Sequence, residues 1–135
     1  MAALTDNKEV HEKHQRLIQT PVAAAVVVYK GAIVMGNASG YLAPMVPAVN
    51  ITFAGIAAEK ADNATGANGD VEADHFRTGL FKLSGTGFTQ ADLGKTVYAS
   101  DDQTVSTTQG TNEVSVGKIA QVVSATEVYV DIALA

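Results

Sequence analysis

The sequence predicts an all-β fold: a small single-domain barrel or sandwich over residues 22–135, preceded by an extended N-terminal arm over residues 1–21. Three observations predict it. Short apolar runs rich in valine and isoleucine recur at close spacing, turn residues punctuate them, and the last of them alternates strictly between apolar and polar positions. The stretch from Met1 to Thr20 has a different texture, polar and without glycine.

In chain order, the arm comes first. Val10, Leu17 and Ile18 fall at i, i+7 and i+8, one face of a helix, but three apolar residues make only a marginal helix in water. The segment therefore reads as an arm that orders on meeting a partner, closed by Pro21. Residues 22–29 form a continuous apolar run and read as one buried strand. Asn37 to Gly40 marks a turn between strands at 33–35 and 41–42, while Pro44 and Pro47 keep 43–48 out of a sheet centre. Strand character resumes over 51–58, and residues 62–70, with Asn63, Gly66, Asn68 and Gly69, are the longest loop signal. Short strands follow at 71–77 and 80–83, split by Thr78 and Gly79. Thr89 and Asp92 have capping-box spacing before Gly94, which predicts one helical turn. Strands at 96–99 and 104–107 flank a turn at 100–103, and 113–123 pairs with 126–134 around Ser124 and Ala125. In that last strand Val128, Val130 and Ile132 alternate with Tyr129 and Asp131, as in a half-buried strand.

The 135 residues amount to one ordinary domain, enough to sustain a core unaided. The 47% of hydrophobic residues are mostly Ala and Val, with no Trp, so each core side chain buries modest area and docking on a partner would add stability. The absence of Cys removes disulfides, thiolate zinc sites and cysteine nucleophiles. No apolar run reaches the roughly 18 residues that span a bilayer, and the charged start has the wrong order for a signal peptide, so a soluble, cytoplasmically made protein without a membrane partner is expected. Asp6, Glu9 and Glu12 balance Lys8, Lys13 and Arg16 within the arm, which places the net charge of −5 in the body. An acidic body repels phosphate backbones and argues against nucleic acid as a partner.

Candidate chemistry is sparse. His11 and His14 are three apart, where a zincin pair needs four, so they read as polar surface. His75 shares a strand face with Val71 and Ala73 and reads as a core-edge or interface histidine. Asp70, Glu72 and Asp74 occupy the opposite face, which is either a solvated face or an oxygen-rich cation site. Gly94-Lys95-Thr96 lacks the glycine five positions earlier that a phosphate loop needs, since Thr89 stands there, and it runs into a strand. Asp101 and Asp102 sit where a hairpin turns, as Asp favours. No Gly-x-Ser-x-Gly elbow is present, and the expectation is a protein without enzymatic activity or cofactor.

Several stretches resemble small tailed-phage capsid decoration (cement) proteins. They are Tyr29-Lys30-Gly31-Ala32-Ile33-Val34, Ser39-Gly40-Tyr41-Leu42-Ala43-Pro44 and Phe53-Ala54-Gly55-Ile56-Ala57. A longer one runs from Asp92-Leu93-Gly94-Lys95-Thr96-Val97-Tyr98 to Val105, and another from Val116-Gly117-Lys118-Ile119-Ala120 to Val128-Tyr129-Val130. The resemblance spans about residues 22–135. It implies a β-barrel or β-tulip-like body, often a homotrimer, on the outer surface of the virion head. There it would clamp neighbouring major capsid subunits against internal DNA pressure, without any reaction. The arm would supply the capsid contacts, with Val10, Leu17 and Ile18 as apolar anchors and Lys13, His14 and Arg16 as polar partners. The rival expectation is a β-sandwich adhesion or carbohydrate-binding module, for which Tyr29, Tyr41, Tyr98 and Tyr129 are the only tyrosine platforms.

Overall fold

A computed structural model describes residues 3, 5–8, 10 and 16–132. Among them the secondary structure is all-β, twelve strands and one short 3-10 turn. The chain divides into two halves in sequence, each building its own five-stranded antiparallel sheet.

The first sheet has the order β1-β7-β5-β3-β4, from β1 (Leu17–Pro21), β7 (Glu72–Phe76), β5 (Thr52–Ala57), β3 (Ile33–Gly36) and β4 (Leu42–Pro44). A two-stranded ribbon, β2 (Val26–Val28) with β6 (Ala61–Asn63), belongs to the same half. The second sheet has the order β10-β9-β11-β12-β8, from β10 (Val105–Ser106), β9 (Thr96–Ala99), β11 (Ser115–Val122), β12 (Glu127–Asp131) and β8 (Leu80–Ser84).

Neither sheet closes into the expected barrel. In each, the two edges touch through a single parallel bridge, Val22 to Leu42 in the first and Ser84 to Thr104 in the second. Pro21 in β1 and Pro44 in β4 offer no N–H to a neighbour, and proline belongs on such edges.

Strand β3 is buried on both faces, which explains its unbroken apolar run. Val34 packs with Val22, Val28, Leu42, Ala57, Ala61 and Ala73, between the first sheet and the ribbon. Its neighbours Ile33 and Met35 point the other way, into a larger core shared with Val97, Val116, Val128, Val130 and Ile132 of the second sheet. Period-two alternation thus feeds two cores from one strand. Burying a Val or Ile fully is worth about 1.5–3 kcal/mol, so this shared core is what joins the halves. One backbone hydrogen bond also crosses, from Ile33 N–H to the Asp102 carbonyl (2.7 Å).

Two sequence expectations need correction. The arm does not extend to residue 21: Leu17–Pro21 is strand β1, paired with β7 from Leu17 opposite Phe76 to Pro21 opposite Glu72. The pairing is invisible locally because β2 to β6 all intervene between the two partners in the chain. The run 22–29 is also not one strand. After Val22 the chain turns through Ala25, which adopts a left-handed φ of 61°, before β2 begins. The buried Asn63 enforces this turn: its side-chain amide donates to the Val22 (3.3 Å), Ala23 (2.8 Å) and Ala67 (3.0 Å) carbonyls. The turn at Asn37, the capped 3-10 turn at Gln90–Asp92, strand β9 and the β11–β12 hairpin lie where the sequence predicts them.

Candidate functional site

Of the six residues expected to contact a capsid, Lys13 and His14 lie outside the described residues. Val10 is described and 83% exposed. Leu17 and Ile18 are not arm residues but the start of β1, and Arg16 immediately precedes them. The Arg16 carbonyl accepts from Arg77 N–H (2.8 Å), and its guanidinium lies 5.0 Å from the Phe76 ring centre. Leu17 stays 44% exposed, whereas Ile18 is half-buried opposite His75. Arg16 therefore stands at the beginning of an edge strand of the first sheet.

The other candidates resolve into structural roles. Asp101 Oδ1 accepts from the Gln103 (2.8 Å) and Thr104 (2.7 Å) amides and so builds its turn. Asp92 accepts from Thr89 N–H (2.9 Å) and Lys95 Nζ (2.9 Å), and these bonds hold its carboxyl below the usual carboxylate range. Lys95 is thereby engaged with Asp92, and Thr96 opens β9. Asp70 accepts from the Ala67 amide (2.9 Å), and among the described residues no group of three His, Asp or Glu side chains is placed to hold a metal ion.

What the first sheet does bring together is a cleft of about 270 Å³. It lies where the edges β1 and β4 diverge from the Val22–Leu42 bridge, so it is the unclosed part of the sheet. Ile18 and Thr20 of β1 form one wall, and Gly36, Gly40 and Leu42 form another. Thr52 and Ala54 of β5, with His75 and Arg77 at the end of β7, complete it.

His75 is only 3% exposed. Its Nδ1 is 2.9 Å from the Ala54 carbonyl, which can only accept, so Nδ1 carries the proton. Nε2 is then the acceptor for the Thr20 hydroxyl at 2.8 Å. Burial pushes the imidazole below its ordinary value of 6.5, with Arg77 lowering it further; the Ala54 bond and Asp74 act in the opposite direction. A neutral imidazole thus ties β1 to β5 across β7. No family model, curated protein or solved structure matches this chain.

The site was partly readable: Ala73, His75 and Arg77 share one face by period two. Thr20 and Ala54, which complete it, carry no sequence signal. A second cleft, of about 350 Å³, lies beside the seam between the halves and is lined by Tyr29, Lys30, Asp102 and Gln103. Tyr29 is 59% exposed there, with Lys60 Nζ 5.5 Å from its ring centre. No helix among the described residues is long and apolar enough to cross a membrane.

Proposed function

We propose that this protein is a structural decoration protein, one that binds the outer surface of a tailed-phage head and clamps neighbouring capsid subunits. The observation that carries the reading is the attachment of the leading segment. In sequence it leads to edge strand β1, which is laddered to β7 along its length. A grip taken on a shell through β1 itself is carried by the β1–β7 ladder into the first sheet. Exposed apolar side chains on the leading segment and at the start of β1, Val10 and Leu17, support docking on a protein surface. Many equivalent contacts on a symmetric shell would add through avidity, so each one can be weak.

The test is co-sedimentation with undecorated, expanded capsids of the encoding phage, using the full chain and a form lacking residues 1–15. Saturable loading of the full chain at a fixed ratio to the capsid subunit, lost in the truncated form, is the expected result. Equal loading of both forms would remove the role given to the leading segment. A second reading, a carbohydrate-binding module, is favoured by the exposed Tyr29 in its polar cleft. Failure to load, with a glycan-array signal abolished by Tyr29→Ala, would establish that reading instead.

A further inference from the structure

The cleft between β1 and β4 has a chemical character that neither architecture nor docking requires. Its accessible apolar surface comes from Ile18 and Ala54, with the fully buried Leu42 behind them. The polar groups on its floor are consumed internally, because His75 uses both ring nitrogens on Ala54 and Thr20. Two groups at the rim remain: the Arg77 guanidinium and the Thr52 hydroxyl have no hydrogen-bond partner among the described residues, although both line the cleft. The nearest carboxylate on β7, Asp74, projects to the opposite face, on which it lies across from Gln19. The cleft therefore presents a cation and a hydroxyl, neither of them hydrogen-bonded among the described residues, over an apolar throat.

We infer that this cleft is a binding site for a carboxylate carried on a short apolar stem, with the carboxylate on Arg77 and Thr52 and the stem against Ile18 and Ala54. The guanidinium fork matches a carboxylate in two-point geometry, and a partly desolvated pair of this kind is stronger than an exposed one. Size selects the stem. About 270 Å³ falls just below the roughly 300 Å³ at which drug-sized sites begin, leaving room for a few carbons. The carboxylate has two possible sources, a free short-chain acid or a glutamate side chain displayed by a partner protein.

The experiment follows backbone amide and His75 imidazole signals by NMR in the full-length protein during titration with butyrate. Parallel titrations use N-acetyl-glutamate N-methylamide, 1-butanol and butylammonium. Butyrate should shift Thr52, Ala54 and His75 signals saturably with Kd on the order of 1 mM, the range open to so small a ligand. It should also raise the pH at which His75 titrates, because an anion beside the imidazole favours its charged form. Tighter binding of the glutamate derivative than of butyrate identifies a protein-borne carboxylate, and the reverse identifies a free acid. Arg77→Gln should weaken either by tenfold or more. Gly36→Ala, whose new methyl would sit 2.9 Å from Thr52 Oγ1, should weaken both by crowding the cleft. Equal shifts from butylammonium or butanol, unchanged binding in Arg77→Gln, or no saturable shift up to about a hundred times that Kd would overturn the inference.

Discussion

Thr20→Val is the substitution that tests the architecture at its least expected point. Valine is nearly isosteric with threonine, so the change removes one hydroxyl and little else. That hydroxyl satisfies Nε2 of an imidazole that is 3% exposed. A buried acceptor left without its donor costs about 1–3 kcal/mol. At about 2.1 cal/mol/K of unfolding entropy per residue, a 135-residue domain loses roughly 3–4 °C of Tm for each kcal/mol. The expected drop is therefore about 4–10 °C, read by far-UV circular dichroism because the chain has no Trp. The double variant Thr20→Val with His75→Leu replaces both partners by apolar groups and should recover part of the loss, giving a coupling of about 1–2 kcal/mol. A Thr20→Val protein melting within a degree or so of the wild type would refute the reasoning, since a threonine on a free arm would behave in that way.

The same histidine sets a pH dependence. Its folded value is depressed below 6.5, so the unfolded chain binds the extra proton first. This part of the stability is complete above about pH 6.5 and is lost as pH falls towards the folded value; urea midpoints between pH 8 and 5 should decline, and His75→Leu should remove that decline. At more acid pH, Asp92 makes a second contribution, present above its unfolded value of 3.8 and lost as pH falls through the lower folded one. Gly55→Ala is expected to cost more than about 2 kcal/mol, because φ is 135° there and a Cβ would run into the Phe76 carbonyl. Gly87→Ala, at φ 70° in open space, should cost only about 1–2 kcal/mol, and equal thermal shifts for the two would contradict the close approach of β5 to β7.

How much of this was legible from sequence follows from the range of the forces involved. Strands β9 and β12 and the turn at Asn37 depend on alternation, β-branched residues and a side chain that bonds amides two and four residues on, all local signals. Strand β1 depends on a partner at the far end of its half of the chain, and the helical spacing of Val10, Leu17 and Ile18 disguised it. Ala25 in a left-handed turn has no local cause; Asn63 imposes it from β6, with three strands between β2 and β6 in the chain. Barrel closure depended on whether the edges met over a ladder or at one point, and Pro21 and Pro44 each leave an edge without an N–H beside that point. The cleft exists for that reason, so it could not be read before the edges were placed.

The separation of the strands has a consequence for how the chain could be cut. Every ladder forms within residues 17–76 or within 80–132, and the segment from Arg77 to Gly79 is the covalent passage between them. A break there would sever no strand pairing. The two pieces would each retain a complete hydrogen-bonded sheet, yet each would expose its side of the core around Ile33, Met35, Val128 and Val130. Such pieces are complementary by construction: separately each is a sheet with a bare apolar face, and together they restore the protein without exchanging a strand.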